Sequence, residues 1–178
     1  MQCSRFYFCL PSGKKNLRMR PGINMELTTA RNHIETCARM MAGTDPWITL
    51  GIPYEECLKA FEGPCREFYI LKMEHEIAGF VILQICGSFK GYIQTLCVDP
   101  RFRGRGLGTG ILQFCEERIL KISPNLFICV SSFNKGALGL YLDYGFKQVG
   151  ELENFVKMGY TELLLRKTAG AISGYRAP

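Results

Sequence analysis

The chain lacks any apolar run long enough to cross a membrane. Its longest such stretch, residues 77–86, is interrupted by Gln84, whereas a membrane-spanning helix needs about 20 apolar residues. A secretory signal peptide is not expected either, because the apolar segment at residues 6–10 is too short. With 178 residues and an apolar share of 47%, the composition predicts one globular domain without a membrane partner.

Metal-binding and disulfide patterns are also missing. The two histidines, His33 and His75, do not have ligand-like spacing, so no metal site is expected. The nine cysteines include no Cys-x-x-Cys pair, and an odd number does not suit a closed disulfide framework. Several of them lie inside apolar runs: Cys86, Cys97, Cys115 and Cys129. We therefore expect reduced, buried thiols and a cytoplasmic protein.

The positive charge is concentrated at the start of the chain. Of the 22 basic residues that give a net charge of +6, five lie in residues 1–24, which contain no acid. Subtracting those five from 22 leaves 17 basic against 16 acidic residues, which does not indicate a nucleic-acid-binding face. We predict a basic flexible arm or extension over residues 1–24, a folded domain over 25–167 and a flexible tail over 168–178.

Hydrophobic periodicity predicts seven strands and four helices. Asn32 and Glu35 resemble a capping box at the first helix, and Pro53 begins the second. The predicted strands cover residues 25–29, 68–73, 77–86, 92–98, 126–131, 146–152 and 160–166. A run of hairpin strands followed by strand–helix crossovers predicts a mixed sheet covered by helices.

A glycine-rich segment separates the strand that ends at Val98 from an amphipathic helix. It has glycine at alternate positions: Gly104, Gly106, Gly108 and Gly110. Glycine lets the backbone turn tightly without a blocking Cβ, and a helix start exposes unpaired N–H groups that suit a phosphate. The segment does not match G-x-G-x-x-G, and Gly-Lys-Ser and Gly-Lys-Thr are absent. The sequence therefore predicts a phosphate cradle of another kind.

This segment resembles the acyl-CoA-binding motif of the GNAT superfamily of N-acetyltransferases, R/Q-x-x-G-x-G/A, through Arg103, Gly106 and Gly108. Residues 134–146 are similar to the superfamily's second motif, N-x-x-A-x-x-x-Y-x-x-x-G-F. The chain also resembles ribosomal-protein alanine N-acetyltransferases. The resemblance implies a GNAT-type mixed, mostly antiparallel seven-stranded sheet flanked by four helices, with acetyl-CoA as co-substrate and a primary amine of a small molecule or protein as acceptor.

The resemblance also implies which residues form the site. The backbone of Cys97 and Val98 would bind pantetheine, and Asn134 would bind the same arm. The Val98 amide would stabilise the thioester oxygen, and Tyr141 would protonate the departing thiolate. The residues implied for the pyrophosphate are Arg103, Gly104, Arg105, Gly106, Leu107, Gly108 and Thr109.

The strand before the glycine-rich segment carries no carboxylate, although many relatives have a glutamate there. Asp45 is our first candidate for a general base, because it lies between the first two helices, where the superfamily builds its acceptor site. Glu35 and Glu153 are alternatives. Trp47 and Tyr54 are candidates for the walls of the acceptor site.

Other interpretations stay open at this point. Tyr141 also fits as a core aromatic, and the chain also fits a catalytically inactive acyl-CoA-binding sensor or structural relative. The basic arm would allow nucleic-acid binding, which the charge balance of the folded part does not favour. An apolar edge at the last strands would support a homodimer.

Overall fold

The computed structural model describes residues 23–178. The predicted basic arm, apart from Ile23 and Asn24, lies outside these residues. Ile23 packs against the core beside Gly110, where an added Cβ would overlap the Ile23 side chain. Within residues 23–178 no helix has the length and apolar content needed to span a bilayer.

The described residues form seven strands and five α-helices in the order β1, α1, α2, α3, β2, β3, β4, α4, β5, α5, β6, β7. The strands are Met25–Leu27, Arg66–Met73, Glu76–Gln84, Tyr92–Val98, Asn125–Ser131, Lys147–Glu153 and Thr161–Thr168. The helices are Arg31–Ala42, Trp47–Leu50, Tyr54–Lys59, Leu107–Leu120 and Lys135–Asp143. The predicted order is confirmed, with one added element.

The added element is α2, a single turn over Trp47–Leu50 between the first two predicted helices. It is too short to show helical periodicity, and Gly51 ends it in a left-handed conformation. The capping box predicted at Asn32 and Glu35 is wrong. Helix α1 begins at Arg31 after Ala30, with no side-chain cap, and Asn32 lies inside the helix.

The strands form one sheet in the order β1-β2-β3-β4-β5-β7-β6. Strands β4 and β5 are parallel, and the other neighbouring pairs of the described sheet are antiparallel. The sheet is therefore mixed and mostly antiparallel, as predicted.

Helices cover both faces of this sheet. Helix α4 packs on one face with the larger hydrophobic cluster, which includes Val81, Leu83 and Ile111. Helices α1 and α3 cover the other face around Phe80 and Ile82. Because successive side chains of a strand point to opposite faces, β3 contributes to both clusters and its middle is buried on both sides.

Strands β4 and β5 pair only at their beginning and then diverge. The paired residues are Tyr92 with Phe127 and Ile93 with Ile128. At the same place β4 contains a bulge, because Thr95 pairs with Ile82 but Ile93 pairs with Leu83, which leaves Gln94 unpaired with β3. A bulge bends its strand, so β4 turns away from β5 and a wedge opens between them.

A disulfide joins the two ends of the β2–β3 hairpin. Cys65 precedes β2 and Cys86 follows β3, with their Cα atoms 5.7 Å apart. The Ile85 N–H donates to the Cys65 carbonyl at 2.9 Å, so the antiparallel register brings the two cysteines together. The prediction that all cysteines are reduced is therefore wrong for this pair. Among the described residues, Cys37, Cys57, Cys97, Cys115 and Cys129 are free thiols.

Gly91 holds the closed end of the wedge, and its replacement should destabilise the fold. Its φ is +92°, and an added Cβ would overlap the Asn125 carbonyl oxygen. We expect Gly91→Ala to lower the free energy of unfolding by roughly 3 kcal/mol or more, from backbone strain and overpacking together. Gly87, with φ +80° and open space around it, is the matched control and should cost about 1 kcal/mol. Urea unfolding of both variants checks this, and equal losses would contradict it.

Candidate functional site

A cavity of about 590 Å³ occupies the wedge between β4 and β5. Its walls also include the start of α4, the start of α5, the one-turn helix α2 and the β6–β7 loop. All of the predicted site residues line it except Arg105: Asp45, Cys97, Val98, Arg103, Gly104, Gly106, Leu107, Gly108, Thr109, Asn134 and Tyr141. The structure thus brings together residues that are almost 100 positions apart in the sequence.

The glycine-rich segment forms a tight turn into α4. Gly104 and Gly106 have φ of +74° and +78°, a left-handed conformation that glycine adopts without strain. Gly106 is the N-cap of α4, and the first backbone bond of this helix runs from the Gly110 N–H to the Gly106 carbonyl. The N–H groups of Leu107, Gly108 and Thr109 therefore precede the helical ladder and point towards the cavity end, where a helix start favours an anion.

The two arginines of the turn have different positions. The Arg103 Nε donates to the Val98 carbonyl at 3.1 Å, and Arg103 lines the cavity. The Arg105 guanidinium lies over the Phe102 ring, 5.3 Å from its centroid. Phe102 is itself buried, so it fixes the turn against the core.

The backbone of β4 presents alternate residues to the wedge. The Asp99 N–H donates to the Ala78 carbonyl on the β3 side at 3.0 Å. Because alternate residues of a strand direct their N–H and C=O groups to opposite sides, the Cys97 backbone faces β3 and the Val98 backbone faces the wedge. Leu96 shares the orientation of Val98, and it lines the cavity. The sequence pattern did not identify Leu96, because backbone direction depends on the strand register.

Asn134 has a structural hydrogen bond at the edge of the cavity. It is the N-cap of α5, and its Oδ1 accepts the Ala137 N–H at 3.2 Å. This cap fixes the start of the helix that carries Tyr141.

Tyr141 lies on α5 with its side chain buried, and it lines the cavity. Its ring centroid is 6.1 Å from that of Phe146. Burial raises the pKa of the Tyr141 phenol above its ordinary value, and the nearby thiols Cys115 and Cys97 act in the same direction. The phenol therefore stays protonated through the neutral pH range.

The two cavity thiols are also neutral. Burial raises the pKa of Cys97 to about 12, although Arg103 opposes this shift. Burial raises the pKa of Cys129 as well. Since the thiolate is the reactive form of cysteine, neither side chain is a good nucleophile at neutral pH.

Only part of the predicted acceptor set of Asp45, Trp47 and Tyr54 lies at the cavity. Asp45 and Trp47 line the cavity, and the Asp45 Oδ1 accepts both the N–H and the hydroxyl of Thr49. Tyr54 lies outside the lining, with the Arg39 guanidinium 5.7 Å from its ring centroid.

The two alternative carboxylates are not in the cavity lining. Glu35 forms ion pairs with Arg31 and Arg39 on α1. Glu153 is exposed on β6.

Sequence reasoning missed one carboxylate of the cavity, Glu162 on β7. It is buried and lines the cavity, and Ser131 of β5 donates a hydrogen bond to it. Only the pairing of β7 with β5 brings it there, and no short motif around Glu162 indicates this. Among the described residues, no group of three or more His, Cys, Asp or Glu side chains is arranged to hold a metal ion.

Comparison with known proteins identifies relatives of this chain. The model of the acetyltransferase (GNAT) family matches residues 29–146. The chain is similar to the N-alpha-acetyltransferase RimI of Mycobacterium tuberculosis, with 24% identity over 79% of this chain and 87% of that protein. It is also similar to a mouse thialysine N-epsilon-acetyltransferase, with 30% identity over 44% of this chain and 47% of that protein.

A solved structure shares the fold. It is a GNAT family acetyltransferase from Elizabethkingia anophelis with acetyl-CoA bound, which superposes with a TM-score of 0.61 at 21% identity. The match covers 84% of this chain and 99% of that one.

The geometry of the turn predicts that Gly106 is required for binding coenzyme A. A β-branched side chain at φ +78° is strained, so Gly106→Val should displace the N–H groups and weaken binding by about tenfold or more. Gly139, inside α5 with open space around it and outside the cavity lining, provides the control. Gly139→Ala should keep the affinity and stabilise the fold by up to about 1 kcal/mol. Calorimetric titration with coenzyme A measures both, and equal affinities would refute this role of the turn.

Proposed function

The chain belongs to the acetyltransferase (GNAT) family, and we propose that it transfers the acetyl group of acetyl-CoA directly to a primary amine, with both substrates bound in one ternary complex. The observation that carries this proposal is the wedge between β4 and β5, which leads from the turn before α4 to Tyr141. A channel of this form fits a long, thin cofactor with a diphosphate at one end and a thioester at the other.

We assign the diphosphate to the start of α4. Its first N–H groups and the left-handed turn at Gly104 and Gly106 form an anion site made of backbone. Arg103, at the same end of the cavity, adds a cation for the phosphate oxygens. The pantetheine arm then lies along β4, where the Leu96 and Val98 backbones are oriented to hydrogen-bond its amides as an added strand would.

The same strand supplies an electrophilic group. A negative charge develops on the thioester oxygen when the amine attacks, and the Val98 N–H faces the wedge where that oxygen would lie. Tyr141 supplies the proton for the sulfur that leaves, since its buried phenol is held in the neutral form. Asn134 supports this role by capping the helix of Tyr141.

The neutral thiols favour direct attack over an acyl-cysteine intermediate. Cys97 and Cys129 are the free cysteines among the described lining residues, and burial keeps both protonated. Bringing the amine and the thioester together in one complex then supplies much of the rate enhancement, because it removes the entropic cost of their encounter.

The acceptor amine reaches the thioester from the mouth formed by α2 and the β6–β7 loop. Asp45 and Trp47 lie on one side of this mouth, and Phe155 and Val156 lie on the other. An amine arrives mostly as an ammonium ion, and we assign Asp45 to attract it. Both a protein α-amine and a small-molecule amine fit this open mouth.

The alternative of an inactive acyl-CoA-binding relative is not favoured. A sensor needs the diphosphate cradle but has no need of a buried phenol and an open acceptor mouth at the thioester end. The site retains both features.

The function is tested by turnover and by the variant Tyr141→Phe. Acetyl-CoA is supplied with thialysine, with alkyl diamines and with peptides that have free α-amines, and release of coenzyme A is measured. We expect Tyr141→Phe to lower kcat by about 100-fold or more, because general acid catalysis contributes at least that much. Its affinity for coenzyme A should stay within about twofold. Full activity of the folded variant would remove Tyr141 from the mechanism, and no turnover by the unmodified protein would remove the function.

Asp45→Asn separates attraction of the acceptor from catalysis. Asparagine retains an oxygen for the Thr49 hydrogen bonds, so helix α2 should persist. We expect KM for a cationic acceptor to rise about threefold at low salt and to approach that of the unmodified protein at 0.5 M NaCl, because exposed charges are screened. The shape of the pH–rate profile should not change. A lost acidic limb would instead make Asp45 the general base.

A further inference from the structure

Amine acetylation releases one proton, and a group in the cavity has to take it. The ammonium form of the acceptor does not attack a thioester, because its nitrogen has no free electron pair. Strand β4 offers Gln94 at the cavity but no carboxylate there. A base must therefore come from another element.

Glu162 is placed to be that base. It projects from β7 into the same cavity as Tyr141, and only 5% of it is exposed. Its backbone partner across the sheet is Ser131 of β5, whose hydroxyl donates to the Glu162 Oε1. The serine hydrogen bond holds the carboxylate at the wall of the wedge, where β5 has already separated from β4.

Several titratable groups surround this carboxylate. Tyr92 of β4 and Cys129 of β5 line the same cavity as this carboxylate. Burial is the main cause of the raised pKa of each, and the charge of Glu162 adds to it. Tyr141 of α5 lines the same cavity as Tyr92 and Glu162. On the β6 side the paired residue is Leu152, which carries no charge. The described lining contains one arginine, Arg103, which lies on the segment before α4.

The setting favours proton uptake. Burial raises the pKa of Glu162 above its ordinary value, and the Ser131 hydrogen bond opposes part of that shift. A carboxylate whose pKa moves towards neutrality is a stronger base and holds a proton more readily.

We propose that Glu162 is the general base of this site, with Ser131 as its positioning residue. The inference rests on the proposed acetyl transfer. It assigns a residue to the deprotonation of the amine, for which β4 has no carboxylate.

The Glu162 carboxylate takes one proton from the ammonium group, which leaves a neutral amine and a neutral carboxylic acid. The amine electron pair forms the C–N bond, and the carbonyl electron pair moves to the oxygen beside the Val98 N–H. When the carbonyl re-forms, the C–S bond breaks with its electron pair on sulfur. Tyr141 protonates that sulfur and is itself reprotonated by the second proton that leaves the nitrogen. Glu162 releases its proton to solvent.

A carboxylate kept in this position should cost stability. Its folded-state pKa is raised, so the folded protein binds a proton at Glu162 more tightly than the unfolded chain does. The folded protein is therefore favoured at low pH and loses this contribution as pH rises through the raised pKa. Replacement by glutamine, which can still accept the Ser131 hydrogen bond, should leave the protein equally or more stable at pH 7.5.

The test uses Glu162→Gln, Ser131→Ala and the control Glu151→Gln on the full chain. Glu151 is an exposed carboxylate on the neighbouring strand β6 and lies outside the cavity lining. The value of kcat/KM is measured from pH 5 to 9 at saturating acetyl-CoA, with one acceptor that the unmodified protein acetylates. Affinity for coenzyme A and the unfolding midpoint are measured in parallel.

We expect Glu162→Gln to lower kcat/KM by about 100-fold or more and to remove the acidic limb of the profile. Coenzyme A affinity should stay within about twofold, and Glu151→Gln should behave as the unmodified protein. Ser131→Ala should move the acidic limb to higher pH, because it removes a hydrogen bond to the charged form.

Two results would overturn the proposal. One is a Glu162→Gln variant that keeps its rate and its acidic limb. The other applies if that variant does not fold: a Ser131→Ala variant whose acidic limb stays at the same pH as in the unmodified protein. If the unmodified protein acetylates none of the acceptors, the proposed function falls and takes this assignment with it, whereas normal turnover with an unaffected Glu162→Gln removes the assignment alone.

Discussion

The separation of β4 from β5 is the constraint on which the rest of the site depends. Two parallel strands normally continue side by side and satisfy each other's backbone groups. Here they pair over Tyr92–Ile93 with Phe127–Ile128 and then part, beside the bulge at Gln94. The backbone of β4 beyond the bulge is left with hydrogen-bonding groups that face a cavity. A ligand with amides of its own can hydrogen-bond to these groups in place of the missing strand, which is the role that we propose for the wedge.

The two ends of the cavity handle charge by different means. At the start of α4 the protein uses backbone N–H groups, which are fixed dipoles and carry no net charge that must be desolvated. At the other end it buries side chains, Glu162 and Tyr141, and burial shifts both towards their protonated forms. The first arrangement suits an anion that must be held without reaction. The second suits groups that exchange protons, since it brings the pKa of a carboxyl closer to neutrality.

The predictable parts of the molecule are those that local sequence controls. Alternation and helical spacing gave the strands and the longer helices, and the turn at Gly104 and Gly106 was visible because left-handed backbone favours glycine. The parts that depend on register were not visible. The Cys65–Cys86 disulfide and the carboxylate of Glu162 arise from pairing between strands, and neither leaves a short-range pattern. The direction of the Cys97 backbone also depends on register, because the bulge decides which residues of β4 face the wedge.

The acceptor side of the cavity is made of much shorter elements than the cofactor side. The end of the cavity to which we assign the diphosphate rests on α4, which has 14 residues, whereas the mouth rests on the four residues of α2 and on the β6–β7 loop. A hydrogen bond from the Tyr160 hydroxyl to the Thr49 carbonyl, at 3.2 Å, joins these two segments. Loops and single turns accept substitution at lower cost in stability than a buried core does. If the mouth receives the acceptor as we propose, its residues can change while the wedge and the start of α4 stay the same. In the proposed function, the choice of amine then rests on the few residues of these short segments.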